Sequence, residues 1–186
     1  MDLLPDIING KRRGYKRLAV DVGQTGFFEG REFRTFYEFQ VNQGESQFFK
    51  FVCSKDFILF DLNISLDAGS LKLKIFSIGG TEGGTFNVPL PVFGKNRMND
   101  RFQSSPGVYL TSVMQITTGG TYTQGSAILL DLFRIVTASA TSQQRTVGGS
   151  VSGERGLPPG TYYIQLENFG NGHCNGVMNG FWEERD

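Results

Sequence analysis

Apolar and polar side chains alternate along the hydrophobic stretches of this chain, and this alternation is the feature that most constrains its fold. Leu71, Leu73 and Ile75 face one way while Lys72 and Lys74 face the other, as expected of a strand with one buried face. No apolar pattern at helical spacing persists for three turns between capping residues. The 17 phenylalanines suit half-buried strands and the 25 glycines suit turns. The sequence therefore predicts a nearly all-β chain.

A second alternating run directly precedes this strand. Every second residue between 58 and 66 is apolar, and Asp67-Ala68-Gly69 then supplies residues typical of a tight turn. Two adjacent amphipathic runs joined by such a turn favour a β-hairpin. We therefore expect the stretches at 58–66 and 71–78 to pair with each other.

Other stretches of strand-like composition are bounded by Gly, Pro, Asn or Ser. They are Phe33–Val41, Gln47–Cys53, Gly107–Thr117, Ala127–Thr137, Thr161–Glu167 and Val177–Glu184. Without crossover helices the strands should pair antiparallel, and two amphipathic sheets bury their apolar faces against each other. The predicted fold is all-β, an antiparallel two-sheet β-sandwich that is jelly-roll-like, with about eight or nine strands.

The 186 residues suit one folded unit. We predict an extended basic N-terminal arm at 1–24 and a β-sandwich domain at 25–186. No run reaches the roughly 18 apolar residues that cross a bilayer, and residues 1–10 lack signal-peptide features, so we expect cytoplasmic synthesis and no membrane contact. Cys53 and Cys174 lack zinc-like spacing and are too few for a disulfide framework. Buried thiols are expected, although a bridge stays open.

The arm concentrates positive charge around Tyr15. Its cations are Lys11, Arg12, Arg13, Lys16 and Arg17. Such a cluster could meet nucleic-acid phosphates, with the tyrosine stacking on a base, or an acidic protein surface. Since acidic and basic residues balance at 18 each and no nucleic-acid-binding motif accompanies the cluster, docking on a neighbouring subunit is favoured over nucleic acid. A simply solvated arm is the remaining alternative.

Two long connections interrupt the strand pattern, at 79–100 and at 139–160. Loops of this length are often functional, so they are either plain crossovers between sheets or contacts to a partner. The glycine-rich stretch Gly79–Gly84 lacks the Gly-Lys-Ser/Thr ending of a phosphate-binding loop and leads into no predicted helix. We expect a flexible crossover there.

The residue types needed for catalysis are sparse. His173 is the sole histidine and lies in a glycine-rich turn at 170–176, where a surface position is expected rather than a general base. No Gly-x-Ser-x-Gly elbow is present, and His173 with Cys174 is a weak metal signal. The carboxylates considered for glycoside cleavage are interpreted as strand-face charges; they are Asp131, Glu167, Glu183 and Glu184. The sequence predicts a non-enzymatic protein with no cofactor and no metal.

Aromatic residues crowd both faces of the strand predicted at Phe33–Val41. Phe36 lies between Arg34 and Glu38, on the face opposite the expected core. An exposed ring at this position would be unusual. We expect Phe36 to be covered by another part of the chain, by the arm or by another subunit, and we include it among the candidate partner-binding residues.

Two sequence stretches carry a resemblance to known proteins. Leu157-Pro158-Pro159-Gly160-Thr161-Tyr162-Tyr163-Ile164-Gln165-Leu166-Glu167-Asn168 and the closing Gly180-Phe181-Trp182-Glu183-Glu184 are similar to the last strands of small β-sandwich modules, including the pre-peptidase C-terminal type. The whole chain, with a basic arm, a Gly- and Phe-rich sandwich and no predicted site, resembles small virion proteins of tailed bacteriophages. These include capsid decoration proteins and proteins of the tail or baseplate.

The phage resemblance implies a mechanical function. The sandwich would decorate or cement a capsid or tail lattice as a homo-oligomer, and its arm or loops would contact other virion proteins. A segment that orders only on docking can wrap a broad surface. The expected location is the virion, after synthesis in the host cytoplasm.

The main alternative is a carbohydrate- or surface-binding module. Tyr109, Tyr122 or Trp182 would then stack on sugar rings while nearby amides bind hydroxyl groups. Trp182 discriminates between the two. Buried beside Ile164 and Leu166 it would only close the core, whereas on an open groove with Asn179 and Glu184 it would support a glycan site.

Overall fold

The computed structural model describes residues 25–95, 111–136 and 155–185. The whole predicted arm at 1–24 lies outside these ranges, as do Tyr109 and most of the connection at 139–160. The predicted partner-binding residues of the arm are therefore outside the described part of the chain; they are Lys11, Arg12, Arg13, Tyr15, Lys16 and Arg17.

Strands make up nearly all regular structure of the described residues. One short helical turn, α1 (Thr25–Phe28), precedes them. The strands are β1 (Glu32–Val41), β2 (Ser46–Cys53), β3 (Asp56–Ala68), β4 (Ser70–Phe76), β5 (Thr81–Gly83), β6 (Val88–Pro89), β7 (Val92–Gly94), β8 (Gln115–Thr118), β9 (Thr121–Thr123), β10 (Leu129–Val136), β11 (Arg155–Leu157), β12 (Gly160–Asn168) and β13 (Cys174–Arg185). The predicted eight or nine strands were too few, because β5, β6, β7, β9 and β11 are too short to show an alternating pattern.

The strands form two large antiparallel sheets and a small ribbon. The five-stranded sheet has the order β11-β3-β13-β1-β7, the six-stranded sheet has the order β10-β4-β12-β2-β8-β6, and β5 pairs with β9. The main strands pair first with last, as β1 with β13, β2 with β12, β3 with β11 and β4 with β10. This is the winding of a jelly roll. The predicted fold class is confirmed.

The predicted hairpin between β3 and β4 is wrong. β3 lies in the five-stranded sheet and β4 in the six-stranded sheet, so the turn between them carries the chain from one sheet to the other. Gly69 adopts a φ of 97°, and a Cβ there would lie 2.8 Å from the Cα of Cys174. The alternating pattern could not reveal this, because both strands bury the same set of side chains whether they pair or face each other.

The hydrophobic core lies between the two sheets, and Trp182 is buried in it. Its indole is 1% exposed and stacks on Phe33 with ring centroids 6.1 Å apart. Trp182 and Ile164 also line a small apolar cavity of about 20 Å³. By the test stated for the glycan alternative, Trp182 belongs to the core and offers no stacking surface.

A second apolar cluster covers part of the outer face of the six-stranded sheet. Tyr122 on β9 stacks on Tyr163 of β12, with centroids 3.7 Å apart and ring planes 8° from parallel. The Tyr122 hydroxyl donates to the Ser77 carbonyl at 2.9 Å and accepts from the Gly80 amide at 2.7 Å. In the stretch Gly79–Gly84, where a flexible crossover was expected, β5 pairs with β9 over the cluster.

Candidate interaction surfaces

Large apolar side chains are exposed along the β10 side of the six-stranded sheet. Among the strands of 25–95, 111–136 and 155–185, β10 is the terminal one of this sheet and pairs with β4. The edge surface, as we name it here, consists of Ile78, Ile128, Leu129, Leu132, Phe133 and Val136, which are 36% to 69% exposed. Single exposed apolar residues are ordinary, but a group of them along one sheet edge is typical of an interaction site.

The local chain path brings these residues together. Ile135 of β10 is fully buried opposite Leu71, which fixes the inner face of the strand. Leu132 and Val136 therefore lie on the outer face. At the end of the strand, Ser77 donates its amide to the Ile128 carbonyl at 3.0 Å and accepts the Ile128 amide on its hydroxyl at 3.0 Å. These bonds place Ile78 next to the start of β10.

Positive charge flanks the edge surface on the outer face. Lys72 and Lys74 each bind Glu167 at 2.6 Å, and Arg134 of β10 lies opposite Lys72. Burial acts to raise the pKa of Glu167, but the hydrogen bonds and charges of the two lysines outweigh it and hold the pKa below its ordinary value. Lys72 and Arg134 also lie over the Phe169 ring, 5.4 and 5.8 Å from its centroid.

Phe36 projects from the outer face of the five-stranded sheet and is 46% exposed. It stacks on Phe93 of β7, with centroids 5.6 Å apart and ring planes 8° from parallel. The connection at 79–100 thus supplies the part of the cover that the structure shows, in line with the expected cover by the chain itself. A contact between Phe36 and a partner stays a prediction.

Polar groups adjoin this aromatic pair. Asn179 of β13 lies opposite Phe36 on one side and opposite Asn63 of β3 on the other. Asn63 donates its side-chain amide to Asp61. Within the described residues, the Oδ1 atoms of Asn63 and Asp61 are buried without a hydrogen-bond partner. Rings beside amide groups could contact either a polypeptide or a sugar.

The residues considered for catalysis are not brought together. His173 is exposed, with its Nδ1 3.1 Å from Asn42 Oδ1, whereas Cys174 beside it is fully buried. Across 25–95, 111–136 and 155–185, no group of three or more His, Cys, Asp or Glu residues is arranged to hold a metal. The expected surface position of His173 is confirmed.

Two of the four considered carboxylates are not solvated strand-face charges. Glu183 is 3% exposed and is bound by Arg31 and by Arg185, the latter at 2.9 Å. Glu184 is 5% exposed and accepts from the Ser112 hydroxyl at 2.5 Å. It also accepts from the Val113 amide at 3.1 Å, the Met114 amide at 3.3 Å and the Trp182 indole at 3.2 Å. Such donors fix the start of the 111–114 segment to β13.

Both cysteines are buried and unbridged, which confirms the expected buried thiols. Burial raises the pKa of Cys53, and it raises the pKa of Cys174 to about 11. Neither thiol is suited to act as a nucleophile at neutral pH.

The aromatic residues named for a glycan site are not available for it. Tyr122 is 5% exposed and Trp182 is 1% exposed, so neither ring can stack on a sugar. Tyr109 lies outside the described residues. A glycan site built on Tyr122 and Trp182 is therefore wrong, because both rings pack into apolar clusters.

Because comparison with known proteins assigns no family, the chain is classified by its fold. No protein-family model matches the chain, and searches of curated proteins and of solved structures found no match. Within the described residues, no helix is long and apolar enough to cross a membrane. The chain is an antiparallel two-sheet β-sandwich of jelly-roll winding.

Sequence reasoning located β10 but missed the edge surface. The signal was present in Ile128-Leu129-Leu130-Asp131-Leu132-Phe133, where apolar residues occupy both faces of the strand. Such a run is also typical of a strand buried on both sides. The exposure of these side chains depends on the order of the described strands, in which β10 comes last in its sheet.

Proposed function

We propose that this protein is a non-enzymatic structural subunit that assembles with other protein subunits through surfaces of its β-sandwich. The edge surface carries this proposal. Monomeric proteins usually protect a terminal strand with charges, proline or a covering segment, yet β10 exposes Leu132 and Val136 by 50% and 48%. Removing apolar area from water contributes about 25 cal/mol per Å², so covering this edge favours association.

The kind of assembly proposed is a repetitive protein lattice, such as the capsid or tail of a tailed bacteriophage. The overall resemblance to small virion proteins supports it, as does the cationic segment from Lys11 to Arg17, which suits docking on an acidic neighbour. In this proposal the protein decorates or cements the lattice as a homo-oligomer located in the virion. The sandwich supplies the rigid body and the N-terminal segment supplies the attachment.

The experiment is a comparison of oligomeric state between two lysine variants of the full chain. Leu132 and Val88 are both 50% exposed, but Val88 lies on β6 at the opposite edge of the same sheet. Leu132→Lys should shift the assembled protein to monomer in sedimentation-velocity measurements, whereas Val88→Lys should leave assembly unchanged. Wild-type protein that stays monomeric at all accessible concentrations, and binds no particle protein, would contradict the proposal.

A carbohydrate- or surface-binding function is the second candidate, with a site formed by residues other than Tyr122 and Trp182. The half-exposed Phe36 on Phe93, beside Asn179, is the observation that favours it. A glycan bound there should perturb the NMR signals of Phe36 and Asn179, and Phe36→Ala should abolish the effect. Unchanged spectra across a broad glycan panel would remove this candidate.

A further inference from the structure

We infer that copies of this protein stack head to tail, with the basic outer face of the six-stranded sheet of one copy on the acidic outer face of the five-stranded sheet of the next. This inference rests on the proposed function and names a second copy as the partner. A head-to-tail contact repeats from subunit to subunit, so it generates a ring or an open filament. A repetitive lattice needs a contact of this kind.

The outer face of the six-stranded sheet carries excess positive charge where β4, β10 and β12 adjoin. Lys72 and Lys74 share one carboxylate, that of Glu167, and Arg134 lies opposite Lys72 on the neighbouring strand. Three positive charges against one negative charge give this region, named here the basic face, a net charge of +2. Its exposed apolar side chains, which are 40% to 50% exposed, are Leu132, Val136 and Phe169.

The outer face of the five-stranded sheet carries the opposite charge. On β1 the charges of Arg34 and Glu38 cancel, whereas β3 adds the carboxylates of Asp61 and Asp67, which leaves a net charge of −2. Phe36 projects from the same face and is 46% exposed. These five residues are named here the acidic face.

The two faces are complementary and lie on opposite sides of one sandwich, because each is the outer face of a different sheet. A contact between the same face of two copies would bring like charges together, which is unfavourable. A contact between unlike faces pairs opposite charges and covers Phe36 with the apolar side chains of the basic face. It is made by side chains that point outward, so neither the backbone edge of β10 nor the carboxylate of Asp131 takes part in it.

The N-terminal segment is another candidate for the acidic face, and it fits less well. Between Lys11 and Arg17 it brings five cations, but its one apolar side chain there is Tyr15. It would also leave the basic face without an anionic partner. A second copy supplies a partner of opposite charge to both faces through a single kind of contact.

Two charge reversals, one on each face, test this contact in the full chain. Arg134→Glu changes the basic face and Asp67→Arg changes the acidic face; both residues are exposed, so both variants should keep the fold and the Tm. Each variant alone should self-associate about tenfold more weakly than the wild type in sedimentation-velocity measurements. Glu45→Arg is the control, because Glu45 is exposed on the turn between β1 and β2 and undergoes the same change of charge as Asp67→Arg.

A mixture of the two variants distinguishes the head-to-tail contact from a symmetric one. Arg134→Glu retains an unchanged acidic face and Asp67→Arg retains an unchanged basic face. An equimolar mixture should therefore form complexes that contain one copy of each variant, at concentrations where neither variant associates alone. Labelling each variant with a different fluorophore measures this by energy transfer. Wild-type self-association should also weaken at high salt, since it depends on exposed charges.

The outcomes separate this inference from the proposed function. Weaker association of each variant alone, recovered on mixing, supports the inference. Assembled protein that is insensitive to both reversals, is not recovered by mixing, or associates as strongly at high salt overturns the inference while the structural function stands. Loss of self-association on removal of residues 1–17 would assign the acidic face to the N-terminal segment and also overturn it. Protein that is monomeric and binds no particle component overturns both.

Discussion

At the residue scale, two inward-facing glycines of β13 show how backbone approach limits substitution. A Cβ at Gly176 would lie 2.1 Å from the carbonyl oxygen of Ser65, whereas a Cβ at Gly180 would lie 3.3 Å from a methyl group of Thr35. Backbone atoms cannot move aside, but a side-chain methyl can shift by a few tenths of an ångström. The strand therefore requires glycine at Gly176 and tolerates a small side chain at Gly180.

We expect Gly176→Ala to lower the free energy of unfolding by at least about 2 kcal/mol, because overpacking costs about 1–3 kcal/mol and the clash here is with backbone. Gly180→Ala is the matched control on the same strand, and its free energy should change by less than about 1 kcal/mol. Urea unfolding of both variants measures the difference. Equal stability of the two variants would show that β13 and β3 do not approach as closely as described.

Residue identity alone revealed part of the candidate site. The surface position of His173 followed from its glycine-rich turn, and the outer-face position of Phe36 followed from the alternation of its strand, although its ring was expected to be covered and is 46% exposed. The burial of Trp182 and Glu184 did not follow. Their surroundings come from β1, β3 and the 111–114 segment, and no local signal specifies which distant segments arrive.

At the element scale, the positions of the longer strands were mostly predicted and their partners were not. Of the strand predicted at Gly107–Thr117, residues 111–114 are not in a strand and β8 begins at Gln115. β1 was expected from Phe33 and begins at Glu32, and β12 was expected from Thr161 and begins at Gly160. Periodicity encodes which face of a strand is buried. It does not encode the neighbour in the sheet, and so β3 and β4 were joined in a hairpin although they lie in different sheets.

The Glu167 pair with Lys72 and Lys74 joins β12 to β4, and its strength should depend on pH. The folded-state pKa of Glu167 lies below 4.5, the ordinary value of a glutamate, so the stabilisation is fully present above that pH and is lost as the pH falls through the lowered pKa. Glu167→Gln should lower Tm at pH 7 by about 2–4 °C, the shift for roughly 1 kcal/mol at this size, and the loss should be smaller at pH 2.5, which lies below 4.5. Calorimetry across pH measures this.

Glu38→Gln is the control for that measurement, because Glu38 is exposed on β1 and should give the same small effect at both pH values. A loss of Tm in Glu167→Gln that is equally large at pH 2.5 would mean that the carboxylate acts through packing. In that case the charge of Glu167 would not contribute to the stability gained from its contacts with Lys72 and Lys74.

At the scale of the whole molecule, the β-sandwich was predictable because many strands bury one face. Which surfaces the sandwich exposes depends on the order in which its strands pair. Two amphipathic sheets have to bury their apolar faces together, and this much was predicted. Which strand ends a sheet depends on the order in which strands pair. Among the described strands, β10 ends its sheet because β4 is its single neighbour, and that position turns an ordinary apolar strand into the edge surface.

Removing residues 1–17 tests the division between a self-associating sandwich and a separate attachment segment. The described core begins at Phe33 and β10 lies within the retained part, so the truncated protein should keep the Tm of the full chain and its oligomeric state. It should lose binding to the native particle, because five of the cations proposed to dock there are gone. Co-sedimentation of the full and truncated chains with particles from which this protein has been removed, at low and high salt, measures this binding. Binding by the truncated form equal to that of the full chain would assign attachment to the sandwich, with Phe36→Ala as the next variant to compare.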